Sequence, residues 1–109
     1  MEKTVTISIK PEDSKAIFDR ESSQWSSQLG YNRMYLTAIQ NTFNDILKAR
    51  GHVFLNEVLD DLGNKRTQNG QLIGWMSKEG AEIRFDVVEI ELNRFELTFN
   101  IDGIIFDLI

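Results

Sequence analysis

The most constraining feature of the sequence lies in its last third, where apolar and polar side chains alternate in three short runs. The runs are separated by Asn93-Arg94 and Asp102-Gly103, two dipeptides that are typical of tight hairpin turns. If both turns contain two residues, the apolar side chains of all three runs fall in common rows across the strands. The pattern therefore predicts an antiparallel β-meander over residues 82–92, 95–101 and 104–108.

The register of this meander places Leu92 opposite Phe95 and Val88 level with Phe99. Upstream of Val88 the apolar positions change from even to odd numbers. We therefore predict a β-bulge near Val87 and Val88.

The opposite face of the predicted meander gathers carboxylates, because Glu91 falls opposite Glu96 and Glu89 shares a row with Asp107. Like charges that face each other across strands cost about 0.2–1 kcal/mol, so the arrangement is a candidate acidic platform for a basic protein surface. The alternative is that these carboxylates only keep an exposed strand soluble. The candidate partner-binding residues on this acidic surface are Glu89, Glu91, Glu96, Asp107 and Asp86.

The formal net charge of −5 is concentrated in the same region. Residues 76–109 hold three basic and eight acidic side chains, which accounts for the whole excess. Binding to nucleic acid depends on Lys and Arg that neutralise phosphates. The charge distribution therefore argues against direct nucleic-acid binding and favours a basic protein partner.

Two helices are predicted before the meander. Apolar residues recur at three- and four-residue intervals over 32–50 and again over 54–62. Asn32 is the expected N-cap of the first helix, and Gly51 and Gly63 are expected to end the two helices. We expect the pair to form a helical hairpin.

The remaining segments give weaker patterns. Residues 4–9 alternate like a half-buried strand, residues 13–20 are a possible short helix, and residues 21–28 form a polar linker or arm. Residues 72–76 are expected to form a short buried strand or a packed loop. The predicted fold class is α+β, with a helical hairpin packed on a small antiparallel β-meander and an additional N-terminal strand. A chain of 109 residues fits a single domain, composed of an N-terminal strand and arm (1–30), a helical hairpin (31–63) and a sheet (72–109).

Residue types that carry catalysis or bind metals are sparse. The absence of cysteine excludes thiolate nucleophiles and Cys-ligated metals. His52 is the only histidine and is expected to cap a helix end, so we predict no catalytic residue, cofactor or metal site. Trp25 lies among serines and is a possible interface anchor, whereas Trp75 lies among apolar residues and is expected in the core.

No apolar run approaches the roughly 20 residues that span a bilayer. The first ten residues also lack the basic start and apolar core of a secretory signal. The expected location is the cytoplasm, without membrane contact.

One segment has the character of a family signature. Residues 50–63 read RGHVFLNEVLDDLG, and they are followed by Arg66-Thr67, Gly70 and Gly74-Trp75. This arrangement resembles small uncharacterised proteins of phages and mobile elements in Gram-positive bacteria, and residues 99–107 resemble the end of the same proteins. The resemblance covers roughly residues 31–109 and leaves the first 30 residues outside.

The resemblance implies a protein that acts inside a bacterial host cell. Small acidic proteins of such elements include inhibitors of host defence, among them anti-CRISPR proteins that occupy a basic groove of a Cas nuclease. We therefore expect a non-catalytic protein-binding module that contacts a basic host protein, such as a Cas nuclease, through its acidic sheet. The alternative is a phage structural or accessory protein that self-assembles through its helical hairpin or a sheet edge, and a size measurement would separate the two.

Overall fold

The computed structural model describes residues 8–109, in which strands and helices are interspersed along the chain. Its helices are α1 (Tyr31–Arg50) and α2 (Leu55–Leu62), and short 3₁₀ turns lie at Pro11–Ser14, Asn69–Gln71 and Phe106–Leu108. Its strands are β1 (Lys15–Phe18), β2 (His52–Phe54), β3 (Ile73–Met76), β4 (Phe85–Glu91), β5 (Arg94–Phe99) and β6 (Gly103–Ile104). The strands form a first sheet in the order β1-β5-β4 and a second sheet in the order β2-β3-β6, with every pairing antiparallel. The predicted α+β class is confirmed.

Helix α1 follows its predicted period and end. The N–H of Gly51 donates to the carbonyl of Leu47 at 2.9 Å, and Gly51 adopts a left-handed φ of 95°, which closes the helix. The helix starts at Tyr31 after Gly30, so the expected N-cap Asn32 instead lies inside the first turn, fully buried. The apolar side chains that α1 buries are Leu36, Ile39, Phe43 and Leu47.

Helix α2 completes the helical hairpin and ends at Gly63, as the sequence predicts. The hydroxyl of Tyr35 on α1 donates to the carbonyl of Asp61 on α2 at 2.6 Å. Between the helices lies the short strand β2, which the sequence pattern did not indicate and which aligns Val53 with Trp75 of β3. Of the two alternatives for residues 72–76, a short buried strand or a packed loop, the structure shows the strand, β3.

The hairpin of β4 and β5 is present, but the predicted register is wrong. The turn residues are Leu92 and Asn93, and Asn93 adopts a φ of 60°, a left-handed conformation that asparagine tolerates better than most residues. Val88 therefore pairs with Glu96, and Glu91 pairs with Arg94. The irregularity lies between Glu89 and Glu91, not at residues 87–88.

The third strand of the predicted meander joins the other sheet. Gly103 in β6 pairs with Gly74 in β3, and residues 106–108 form a 3₁₀ turn, so no strand covers 104–108 beside β5. Asp102 explains the difference, because its N–H donates to the carbonyl of Gly74 and its carboxylate accepts from the N–H of Met76, both at 2.9 Å. These bonds tie the Asp102-Gly103 segment to β3 instead of closing a hairpin.

The segment before α1 also differs from expectation. The short helix predicted over residues 13–20 is wrong, since Lys15–Phe18 forms β1 and buries Phe18 against the inner face of the first sheet. The predicted polar arm is held in place, because the buried Ser22 donates to the side-chain oxygen of Asn64 at 2.6 Å. The strand predicted over residues 4–9 lies outside the described residues, except for positions 8 and 9, which have no regular structure.

Candidate protein-binding surface

The two faces of the first sheet differ in what packs against them. Its inner face meets α1 and contributes Phe85, Phe95, Leu97 and Phe99 to the core. The side chain of Arg33 on α1 lies over the Phe95 ring, 5.2 Å from its centroid. The outer face carries exposed or half-buried side chains on all three strands.

Three apolar side chains that the sequence places in the core are exposed at this sheet. Val88 is 58% exposed, Ile90 is 44% exposed and Leu92 is 82% exposed. We call these three residues the apolar stripe. Fully burying a valine, leucine or isoleucine contributes about 1.5–3 kcal/mol, and the isolated chain does not gain most of that contribution here.

The register accounts for this exposure. Phe85, Val87 and Glu89 lie opposite the buried Phe99, Leu97 and Phe95, so odd positions of β4 point inward. Even positions such as Val88 must then point outward.

The outer face is chemically mixed. One row across the three strands holds Lys15, Thr98 and Asp86, and the next row holds Ile17, Glu96 and Val88. The apolar side chains Ile17 and Val88 therefore flank a carboxylate, with charges of both signs in the neighbouring row.

Glu89 does not belong to this outer face. Its carboxylate lies on the helix side, where it accepts from the Asn93 N–H at 2.7 Å and from Arg33 at 3.3 Å. The backbone hydrogen bond from Asn93, and secondarily Arg33, holds the pKa of Glu89 below its usual value. Glu89 thus fixes the hairpin turn to α1.

The other predicted acidic residues divide between the outer face, which carries Asp86 and Glu96, and other parts of the fold. Glu91 forms an ion pair with Arg94 at 3.3 Å, and Asp86 forms one with Arg84 at 3.3 Å. Glu96 remains on the outer face beside Val88, whereas Asp107 lies in the C-terminal 3₁₀ turn that follows the second sheet. The five carboxylates therefore do not form the single platform that the predicted register implied.

Trp25 and Glu91 are brought together. The indole N–H of Trp25 donates to the carbonyl of Asn93 at 2.8 Å, and the side chain is half-buried. Trp25 lines a cleft of about 530 Å³ at the turn end of the first sheet. The cleft also contains the ion pair of Arg94 with Asp19 at 3.2 Å. The residues that line the cleft are Asp19, Arg20, Glu21, Trp25, Glu91, Leu92, Asn93 and Arg94.

Asparagine side chains form the polar interior, and the sequence patterns missed this role. The amide of Asn32, fully buried, accepts from the N–H of Ser26 at 2.9 Å and donates to its carbonyl at 2.8 Å. It also donates to the side-chain oxygen of Asn93 at 2.9 Å, which joins α1 to the β4–β5 turn. Asparagine at a buried helix position is the one signal of such a bond that the sequence offers.

The same device recurs elsewhere in the fold. Asn44 accepts from the Ile83 N–H at 2.7 Å and donates to its carbonyl at 2.9 Å. Asn56 does the same for Thr67, at 2.9 and 3.0 Å. Each amide supplies an irregular segment with the pair of hydrogen bonds that a neighbouring strand would provide. We refer to Asn32, Asn44 and Asn56 as the amide clamps.

The signature segment is architectural in this structure. Arg50 forms an ion pair with Glu57 at 2.6 Å, and Arg66 pairs with Asp60, which lowers the Asp60 pKa through the hydrogen bond from Arg66. A Cβ atom at Gly74 would collide with the carbonyl oxygen of Val53, so glycine lets β2 and β3 approach closely.

His52 has a different place from the one expected. It lies in β2 and not at a helix cap, and its ring meets the Phe54 ring edge-on at 5.6 Å. The buried Trp75 is confirmed as core, with its indole N–H bonded to the carbonyl of Asn100 at 3.0 Å.

Within residues 8–109, no group of three or more His, Cys, Asp or Glu side chains is arranged to hold a metal ion. The helices of this part of the chain include none that is long and apolar enough to cross a membrane.

These observations define a small α+β protein with two three-stranded antiparallel sheets and one bare sheet face. The model of a family of unknown function, DUF6353, matches residues 1–108, and the chain belongs to that family. The match includes the first 30 residues, which the resemblance seen in the sequence left outside. No curated protein and no solved structure matched the chain.

Proposed function

We propose that this chain is a non-catalytic protein-binding module of a phage or mobile element that contacts a host protein through the outer face of its first sheet. The observation that carries the proposal is the apolar stripe, with Val88 and Ile90 exposed on β4 and Leu92 exposed in the turn that follows. Contiguous exposed apolar side chains with a polar rim are typical of protein interfaces. The rim is provided here by Asp86 and Glu96.

The more specific proposal is an inhibitor of a host defence nuclease, similar in action to anti-CRISPR proteins, in the cytoplasm of the bacterial host. Its support is the net charge of −5 and the carboxylates Asp86 and Glu96 beside Val88, which would meet basic groups of the partner. Such contacts steer association and weaken as salt rises. This version of the proposal predicts that binding declines with added salt.

The matched experiment compares two variants in co-precipitation from cells of the host bacterium. The double variant Val88→Thr, Ile90→Thr keeps β-branched side chains on β4 but removes apolar surface. Met34→Gln makes a similar change on α1, where Met34 is 73% exposed. We expect the double variant to lose the captured partner and Met34→Gln to retain it, and the reverse pattern would reject the outer face.

The second candidate is a structural or accessory protein that self-assembles, and the bare sheet face favours it as well. Sedimentation over a range of concentrations separates the candidates. A monomer at every concentration supports the host-protein module, whereas a concentration-dependent oligomer that the double variant abolishes supports self-assembly.

A further inference from the structure

Side chains close most of the sheet edges in this fold. An edge strand presents unpaired backbone groups that attract another strand. On β1 the outward carbonyl of Ile17 accepts from Asn64 at 2.9 Å. On β2 the carbonyl of His52 accepts from Arg50 at 3.0 Å, and the N–H of Phe54 donates to Glu57 at 2.8 Å. The remaining edge of the second sheet, β6, has only two residues.

The edge of β4 is closed only at its beginning. The N–H of Asn100 donates to the carbonyl of Arg84 at 3.3 Å, so Arg84 and every second residue after it direct their backbone groups toward β5. The backbone groups of Phe85, Val87 and Glu89 must then point away from β5. The side-chain oxygen of Gln40 on α1 accepts from the N–H of Phe85 at 2.8 Å. No side chain of the described residues bonds to the outward backbone groups of Val87 and Glu89.

A groove runs beside this open edge. The helix positions 33, 37, 40 and 44 form one stripe of α1, and three of them bond to β4 or to the residues just before it. Between helix and strand lies a cleft of about 210 Å³, large enough for small apolar side chains. The groove is lined by Arg33, Leu36, Thr37, Gln40, Phe85 and Val87.

We propose that the edge of β4 and this groove accept an extended segment of the partner protein as an added strand, an inference that rests on the proposed protein-binding function. Backbone hydrogen bonds would form with Val87 and Glu89, and alternate side chains of the segment would enter the groove. The other side chains would extend the outer face next to Val88.

The net charge of the chain selects the kind of segment. Asp86, Glu89 and Glu91 on β4 each form an ion pair with an arginine, and the whole chain still carries a net charge of −5. A second copy would bring the same carboxylates and the same net charge to the edge, which is electrostatically unfavourable. The segment that fits is therefore part of another protein, apolar at alternate positions and carrying Lys or Arg between them.

The direct test uses a blocked heptapeptide of alternating lysine and valine, with an N-methylated version that lacks alternate N–H donors as control. Amide hydrogen exchange of the full chain is measured by NMR at a peptide concentration ten times the dissociation constant. We expect exchange at Val87 and Glu89 to slow by about tenfold, with no change at Ile17 and no effect of the N-methylated peptide. Unchanged exchange at Val87 and Glu89, or equal protection by both peptides, would overturn the inference.

Two variants, each with a matched control variant, extend the test to the natural partner. Thr37→Trp fills the groove from the exposed side of α1 and should abolish peptide protection and partner capture, whereas Ala38→Trp at the adjacent exposed position should leave both intact. Val87→Pro removes an N–H that points away from β5 and so leaves the hydrogen bonds between β4 and β5 intact. Ile17→Pro makes the same change on β1 and serves as its control.

The outcomes separate this inference from the function on which it rests. Partner capture that is lost in the Val88→Thr, Ile90→Thr variant but kept in Thr37→Trp would leave the protein-binding function standing and reject strand addition. Capture that survives in all variants would reject both. Self-association of the peptide-free chain that Val87→Pro abolishes would show a second copy at the edge and overturn the choice of occupant.

Discussion

The segments held by the amide clamps and the edge of β4 both carry backbone N–H and carbonyl groups that no neighbouring strand pairs. They differ in whether a side chain takes the place of that strand. At the clamps, segments without a neighbouring strand receive both hydrogen bonds from one asparagine, as Ile83 does from Asn44. At β4, no strand and no side-chain amide from residues 8–109 lies beside the outward groups of Val87 and Glu89, and the apolar stripe next to them is exposed. Asparagine side chains thus satisfy irregular backbone in this fold, whereas the edge of β4 is left open by the part of the chain that the structure describes, and we place the partner there.

The largest effect is expected from breaking a clamp. Asn32→Leu keeps the size of the side chain but leaves the N–H of Ser26 and the side-chain oxygen of Asn93 without a partner, whereas the Ser26 carbonyl still accepts from the Asn93 amide at 3.1 Å. Each unsatisfied buried group costs about 1–3 kcal/mol, so the variant should lose about 3 kcal/mol of unfolding free energy in urea titration. The exposed control Met34→Gln should change stability by less than about 0.5 kcal/mol. Equal urea midpoints for Asn32→Leu and the wild type would contradict the role of the clamp.

The next effect concerns the close approach of β2 and β3. Gly74→Ala places a Cβ atom against the carbonyl oxygen of Val53, and such overpacking costs about 1–3 kcal/mol. The thermal midpoint measures this loss. An alanine that leaves the midpoint unchanged would show that the signature glycine is not needed for packing, and would reopen a functional role for this segment.

Substitutions in the apolar stripe should leave the unfolding free energy almost unchanged. Val88→Thr and Ile90→Thr alter side chains that contact little in the isolated chain, so each should change the unfolding free energy by less than about 0.5 kcal/mol. A loss of more than about 2 kcal/mol in the double variant would mean that the stripe is packed and not open.

Much of the fold follows from local sequence patterns, and the errors share one cause. The helices were predictable because apolar spacing and the terminal Gly51 and Gly63 are local signals. The register of β4 was not, because the prediction required every apolar row to close within one chain. The left-handed backbone of Asn93 and the inward position of Glu89 set a different register.

The pairing of β6 and the polar interior depended on contacts between distant residues. Asp102 reaches β3, and Asn32 reaches Asn93, across separations that no local pattern records. The candidate surface was predictable only in part. Glu96 and Val88 were correctly placed on neighbouring strands but assigned to opposite faces, whereas they share the outer one.

The smallest effect is a pH dependence at the boundary between the two regions. The pKa of Glu89 is lowered in the folded state, so its contribution is present above the ordinary value of 4.5 and is lost as pH falls through the folded pKa. Glu89→Gln should be less stable than the wild type at pH 7, and the difference should close under more acidic conditions. Urea titrations at pH 7 and at about pH 3 check this, with Glu96→Gln as the control. A difference that stays constant with pH would contradict the bond to Asn93.

Binding of the partner at β4 is tested by site-specific photo-crosslinking in host cells. A photoreactive phenylalanine is placed at Val88 on the outer face or at the exposed Met34 on α1. We predict one partner-sized adduct from position 88 and none from position 34. Adducts from position 34 with none from position 88 would contradict the account.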